Sequence, residues 1–277
     1  MPAERGVKRR RFWVTTALVL GAAATIAPLA WMVSASFMPA GEAAGLPLRL
    51  LPSRPTLANY AALFSRSNLG RAFLNSLLLA TAITTVSLAC NSMAGYAFAK
   101  LRFRGRDRLF ALLLVTLVVP PQVGVLPLFL ELRALGLVNS YGGVLVAGIA
   151  TVFGIFLVRQ FALSIPLELL DAARVDGASE FAIFRKIVLP LLRPILVTLG
   201  VFTFLAAWND FMWPLIVLTD ERLQTLPVAL ASLAGEHVQD TELMMAGAVV
   251  TVLPVLLLFL ALQRQYLAGI LAGSLRE

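Results

Sequence analysis

The sequence predicts an all-α, polytopic membrane protein with six transmembrane helices, and three observations carry that expectation. The mean hydropathy is +0.86, with 59% of the 277 residues hydrophobic and only 14% charged, a balance rarely met in soluble domains. The charges are also segregated: no Asp, Glu, Lys or Arg falls between Arg11 and Glu42, Arg71 and Lys100, Arg108 and Glu131, Arg133 and Arg159, or Glu242 and Arg264, and the stretch from Arg193 to Asp220 holds only Asp210. Each window supplies the roughly 20 residues that a helix rising about 1.5 Å per residue needs to cross a ~30 Å hydrocarbon core. Finally, the basic residues alternate. Five precede the first window, five lie from Lys100 to Arg108, five from Arg159 to Arg193 and two in the C-terminal tail, seventeen in all against six in the other loops. The positive-inside rule then puts both termini in the cytoplasm. The net charge of +8 becomes a matter of topology, with basic loops set against an anionic leaflet, and gives no ground for a nucleic-acid partner.

Residues 1–70 hold an N-terminal tail, the first span and an outward segment. The basic start "KRRR" followed by an apolar stretch resembles a cleaved signal, but the stretch runs past the roughly 7 to 15 residues of a signal core and "SAS" is a poor cleavage site. It is therefore read as the first span. In the outward segment, "TLANYAALF" predicts a short helix along the membrane surface, capped by Thr56, with Leu57, Tyr60, Ala61 and Phe64 on one face at spacings of three and four.

Residues 71–264 form the transmembrane domain proper, and 265–277 a cytoplasmic tail. Span two carries Asn75, Ser76, Thr81, Thr84, Thr85, Ser87, Asn91 and Ser92, groups suited to helix–helix contacts or a wet cavity rather than lipid. Span three contains "VVPPQVGVLP", where Pro120, Pro121 and Pro127 predict a kink buried against neighbours. The single cysteine, Cys90, lies inside span two, so neither a disulfide nor a cysteine-based metal cluster is available within the chain. The last outward loop gathers Asp220, Glu221, Glu236, Asp240 and Glu242, with the lone His237 suited to surface or binding-protein contact rather than to a metal.

Between spans four and five lies a polar inward loop, residues 163–194, with four acidic and four basic residues. Ser164 and Pro166 suit the start of a helix through "PLELLDAARVD", and Gly177 its left-handed stop. Ser179 caps a second helix, in which Phe181, Phe184 and Val188 share a face until Pro190 ends or kinks the run. Small residues at the bend (Ala172, Ala173, Gly177, Ala178) let another backbone approach closely.

That loop resembles the cytoplasmic signature of the permease subunits of bacterial ATP-binding-cassette importers: Glu-Ala-Ala, three residues, Gly, nine residues, Ile, one residue, Leu-Pro. "DAARVDGASEFAIFRKIVLP" matches as Asp171, Ala172, Ala173, Gly177, Ile187, Leu189 and Pro190, with the usual Asp-Gly-Ala at Asp176, Gly177 and Ala178. Its one departure is Asp171 in place of Glu. The resemblance implies a type I importer transmembrane fold in which Asp171 to Gly177 dock into a cleft of an ATP-hydrolysing subunit. Further stretches, among them "AAWNDFMWPLIVL", "TLPVAL" and "FLALQRQYLAGILAGSLRE", resemble the carbohydrate-importer permeases of the maltose-transporter type across essentially the whole chain. The implied partners are a homologous permease, two ATPase subunits and an extracytoplasmic solute-binding protein, in a lipid bilayer. No catalytic, metal or cofactor site is expected in this chain. None of the three lysines stands in a phosphate-cradling G-x-x-x-x-G-K-[ST] loop, so ATP and magnesium belong to the partner subunits.

For the transport path the expected residues are Trp208, Asn209 and Asp210, an aromatic face beside amide and carboxylate groups that suits a sugar. Asp210 is the one ionisable residue within a span, and its alternative role is a structural hydrogen bond pinning span five to another subunit. Two further functions stand alongside a sugar importer: an importer of another solute, such as a glycerol phosphate or polyamine, and an ion-coupled carrier, which would need more intramembrane charge than Asp210 alone. An intramembrane enzyme fails for want of HExxH, GxSxG or paired carboxylates.

Overall fold

The computed structural model describes the backbone of residues 2–47, 49–66, 68–236 and 240–274, and the side chains of these except residues 2–10, 66, 236 and 262–274. His237 and the last three residues of the tail lie outside the described residues. Every regular element described is helical. Three helices are long and apolar enough to cross a bilayer unbroken, Arg11–Ser36, Leu69–Lys100 and Thr241–Ala261, and three bent pairs raise the number to six if each makes one crossing.

The first compact unit spans Met1–Gly70 and Leu230–Leu253. Helix α1 (Pro2–Ser36) delivers the chain to the outward segment, which folds back on the helix end. Trp31 Nε1 donates to Arg49 O at 3.1 Å and Ser34 Oγ to Leu50 O at 2.6 Å. Helix α2 (Ala58–Arg66) begins at Thr56, whose Oγ1 accepts the Ala58 N–H, as expected of a cap. Its buried face differs from the one the spacing suggested. Asn59 and Leu63 are buried while Leu57 and Phe64 are exposed, because Asn59 Nδ2 donates to both Ser36 O and Met38 O and turns the helix accordingly. Glu242, expected in the outward acidic loop, is instead fully buried, its Oε1 accepting the Ala43 N–H at 2.6 Å.

The second unit covers Arg71–Ala229 and Pro254–Glu277. Helix α3 (Leu69–Lys100) runs through it with a buried stripe at Ser76, Leu79, Ile83, Ser87, Asn91 and Tyr96, the spacing of one helical face. Its polar members are satisfied within the bundle. Asn75 Nδ2 donates to Arg222 O and Gln224 O, and Ser76 Oγ accepts the Leu226 N–H. Asn91 Oδ1 accepts the Thr151 N–H and its Nδ2 reaches Ser87 Oγ. Cys90 is a half-buried free thiol. Gly95 marks a close approach: a Cβ there would stand 2.6 Å from Val158 Cγ1 and 3.0 Å from the Arg159 backbone nitrogen.

Helix α4 (Arg106–Thr116) and the segment of α5 (Val125–Ala134), entered through a 3₁₀ turn at Pro121–Gly124, form a pair bent by 96°. The kink is where the prolines place it, but the turn is exposed rather than buried, Val118 by 83%. Short-range turns explain the difference: Leu117, Val118 and Val119 N–H groups donate to Leu114, Val115 and Thr116 carbonyls, so the freed backbone needs no neighbouring helix. The charge-free window from Arg133 to Arg159 holds two helices, α6 (Tyr141–Val146) and α7 (Val152–Leu163), capped by Ser140 and Thr151. After the polar loop with α8 (Leu167–Val175), α9 (Glu180–Ile183) and α10 (Leu189–Leu191), the chain continues as α11 (Arg193–Trp208) and α12 (Met212–Val217). Helices α13 (Leu226–Glu236) and α14 (Thr241–Ser274) complete the chain.

Candidate functional site: a latched helical hairpin

The polar loop is a hairpin with a sharply defined apex. Helix α8 ends in a complete Schellman arrangement: Ala178 N–H donates to Ala173 O and Gly177 N–H to Arg174 O, both at 3.0 Å, with Gly177 at φ +80°. Glycine reaches that left-handed conformation without the Cβ penalty other residues carry. Two residues later Ser179 Oγ accepts the Ala182 N–H and starts α9. The other expected cap is not made. Ser164 donates its hydroxyl to Phe161 O and closes α7, and α8 starts at Pro166 with no side-chain cap.

The second arm passes through a π-helical turn, Phe184–Val188, into α10. Pro190 lacks the N–H that an α-helix would use there, and the wider turn absorbs that loss. Glu180–Leu191 then meets α11 at 78°. Ile183, Phe184 and Val188 are buried, whereas Phe181, expected on the same face, is exposed. The helix start at Glu180 and the wider turn rotate it off the packed side.

Burial sorts the motif residues. Leu170 is fully buried with Ile165, Ile183, Val188 and Leu192, and Ala173, Ala178, Ile187 and Leu189 pack against that cluster. Asp171, Ala172, Asp176, Gly177 and Pro190 are exposed, and Val175 stands 87% exposed at the apex.

Polar groups the sequence did not single out hold the hairpin to α3. Tyr96 Oη donates to Glu180 Oε2 at 2.9 Å. Arg174 spans the two arms, its Nε donating to Glu180 Oε1 at 2.7 Å and its Nη1 to Asp171 Oδ1 at 2.5 Å. Asp171 thus finds its partner one turn along its own helix, within reach of the shorter carboxylate. Hydrogen bonds from Arg174 hold the Glu180 carboxyl below the usual carboxylate range, against the opposing effect of burial. The same bonds to Glu180 and Asp171 raise Arg174 beyond its ordinary value. At the hairpin's other foot, Lys100 Nζ donates to Leu163 O at 3.2 Å and Ile165 O at 2.5 Å, carbonyls left unpaired where α7 ends. The sequence offered one signal for this: Tyr96 and Lys100 stand four residues apart, on one face of a helix, at the C-terminal end of the polar α3.

The expected transport-path residues fall less close together. Trp208 is only 1% exposed, its ring met by Phe73 at 5.6 Å and Phe204 at 5.9 Å. Protein already fills the stacking surface expected for a sugar. Asn209 is exposed, and its Nδ2 donates to Leu205 O at 2.8 Å. Asp210 Oδ1 accepts the Trp213 N–H at 3.3 Å, so it serves the first turn of α12, a structural bond made inside the chain. Among the described residues no group of three or more His, Cys, Asp or Glu stands within reach of one metal ion.

Comparison with known proteins places this geometry. Residues 91–270 match the family described as the inner membrane component of binding-protein-dependent transport systems. The arabinooligosaccharides transport system permease AraQ of Halalkalibacterium halodurans is 39% identical over 252 residues, 90% of this chain and 90% of that protein. The osmoprotective compounds uptake permease GgtD of a Synechocystis species is 39% identical over 224 residues, 80% of this chain and 75% of that protein. Among solved structures, a bacterial ABC transporter involved in the import of the acidic polysaccharide alginate has a chain that superposes with a TM-score of 0.82 at 25% identity, covering 93% of this chain and 97% of its own. An all-helical chain whose sequence and fold agree with these proteins over this length is a transport component rather than an enzyme, and it belongs to the family of inner membrane permease components of binding-protein-dependent ABC importers.

Proposed function

We propose that this chain is the permease subunit of an importer that carries a sugar or oligosaccharide across the cytoplasmic membrane by alternating access, driven by separate ATPase subunits. The observation that carries the coupling half of this reading is the capped hairpin with Val175, Asp171 and Asp176 turned outward and Leu170 anchored inward. Asp171 to Gly177 dock in a cleft of the ATPase, and Ala178, Ile187, Leu189 and Pro190 brace them from the second arm. Because Tyr96, Lys100 and Arg174 fasten both feet, a push on the apex moves α3, α7 and α11 rather than bending the loop. Packed elements transmit such displacements as rigid bodies. The seventeen inward basic residues set both termini in the cytoplasm, the side on which the ATPase lies. ATP and magnesium bind the two ATPase subunits, a homologous permease completes the pathway, and a solute-binding protein delivers the cargo from outside.

Support for a saccharide cargo comes from the relatives: one is named for arabinooligosaccharides, and the superposing structure is an importer of an acidic polysaccharide. The pathway assignment is narrowed to Asn209 and Asp210, since Trp208 is packed away. A second reading, an importer of a small non-sugar solute, is favoured by the relative named for osmoprotective compounds. Reconstitution of the complete complex in proteoliposomes tests both. Binding-protein-dependent, ATP-dependent uptake of labelled oligosaccharide supports the first. Uptake of a non-sugar solute with no oligosaccharide uptake selects the second. Solute accumulation driven by an ion gradient without ATP contradicts both.

A further inference from the structure

The loop joining α3 to α4 and the first turn of α4 hold four arginines at alternate positions, Arg102, Arg104, Arg106 and Arg108. Arg102, Arg106 and Arg108 line a cup of about 540 Å³ together with Phe103, Gly105 and Asp107. Neighbouring cations are already committed to the fold: Lys100 to backbone carbonyls, Arg159 to Phe98 O and the Phe110 ring at 4.1 Å, Arg174 to two carboxylates. In the cup, by contrast, the side chains of Arg102 and Arg108 make no hydrogen bond or ion pair with any described residue. Arg106 is held in place by Asp107 Oδ1 at 3.1 Å and Leu101 O at 3.4 Å. One carboxylate against three guanidinium groups leaves the cup net positive. The rim is rigid, Phe103 packing on Phe98 and Phe98 on Phe110 at ring distances of 5.8 and 5.5 Å.

We propose that Arg102, Arg106 and Arg108 bind the phosphate of an anionic phospholipid, whose acyl chain lies along Leu109, Leu112 and Val115 of α4. Guanidinium forks match phosphate oxygens two at a time, which a lysine cluster would not do. The second half of the argument separates a lipid from a free anion. Leu109, Leu112 and Val115, at spacings of three, are all exposed, and this apolar lane starts at the residue that follows the last arginine of the cup. A headgroup in the cup therefore places its own hydrocarbon on the lane. Basic pockets at the inner ends of transmembrane helices suit anionic headgroups in this way. The inference is independent of the hairpin's coupling role.

The test is lipid retention by the assembled full-length complex, moved from nanodiscs of equal phosphatidylglycerol and phosphatidylcholine into detergent and analysed by native mass spectrometry. Phosphatidylglycerol is expected to remain bound preferentially. Each Arg→Gln change should weaken retention roughly fivefold and the triple R102Q/R106Q/R108Q on the order of a hundredfold. The triple Arg→Lys variant should keep part of it, which controls for folding. Leu112→Gln should weaken lipid retention while leaving the charge of the cup intact. Equal retention of both lipids by the unaltered complex overturns the proposal, as does unchanged retention in the triple Arg→Gln variant. Displacement of the lipid by millimolar inorganic phosphate would show a free-anion site and overturns it too, as would loss of the ATPase subunits from the triple Arg→Gln complex with lipid retention unaltered.

Discussion

Tyr96 Oη and Glu180 Oε2 lie 2.9 Å apart, and this bond joins the C-terminal end of α3 to the far arm of the hairpin. Glu180 also receives Arg174, which in turn holds Asp171. A single carboxylate thereby links α3 to both arms. Tyr96→Phe removes one hydrogen bond to a half-exposed charge and should cost about 1 kcal/mol of local stability, Glu180→Gln somewhat more since it also weakens the grip of Arg174. Amide hydrogen exchange over residues 167–183 measures both. Protection equal to that of the unaltered protein in Glu180→Gln would show that apolar packing alone holds the hairpin.

Gly177 separates conformational cost from steric cost. A Cβ there would meet nothing within 4 Å, yet φ is +80°. Gly177→Ala should therefore lose about 1 kcal/mol from backbone strain alone, Gly177→Asn less. Gly177→Pro should lose most, since it cannot take this φ and removes the N–H that donates to Arg174 O. Thermal unfolding of the purified complex ranks the three, and Ala as mild as Asn would argue against the left-handed apex.

The latch has a defined pH range. Arg174 holds the Glu180 carboxyl below its ordinary value, so the bond contributes fully above the unfolded carboxylate pKa of about 4.3 and is lost as pH falls through the lower folded value. Hairpin protection should be flat from pH 8 to 6 and fall only in acid below that range. A decline centred near pH 6 to 7 would point to a different group.

Asp210 should tolerate loss of its charge better than loss of its acceptor. Asp210→Asn keeps an oxygen for the Trp213 N–H, whereas Asp210→Ala removes it, at about 1 kcal/mol for a lost cap. If the cap is the main role, uptake by the Asn variant stays within about twofold of the unaltered protein while the Ala variant falls further. Equal and severe loss in both, with intact assembly, would restore a direct part for the carboxylate in the pathway.

The sequence made the membrane class, the polar hairpin and its apex legible because each rests on local chemistry: charge-free windows, a left-handed glycine, a serine cap. The breaks in the spans were less visible. Charge counting sees one window from Arg133 to Arg159, while Asn91 and Thr151, sixty residues apart, pin a gap inside it. Periodicity also put Phe181 on the buried face, and only the rotation set by Ser179 and the π-turn before Pro190 shows otherwise. Tyr96, Lys100 and Glu180 were missed for the same reason: each is ordinary in its own segment, and acquires a role through a partner far along the chain. Trp208 beside Asn and Asp reads as a binding surface in the sequence, whereas in the fold Phe73 and Phe204 stand against its ring.

The central claim, that the hairpin apex couples an ATPase to transport, is tested most directly at Val175. Its side chain is 87% exposed, so Val175→Glu leaves the chain's own packing intact while placing a charge where the ATPase cleft would close. The measurement is binding-protein-stimulated ATP hydrolysis and solute uptake, side by side, in the reconstituted complex. Uptake should collapse and ATPase subunits should be lost or their hydrolysis become unresponsive to the binding protein, with membrane insertion and thermal stability of the permease unchanged. Uptake and stimulated hydrolysis at the level of the unaltered complex would contradict the claim.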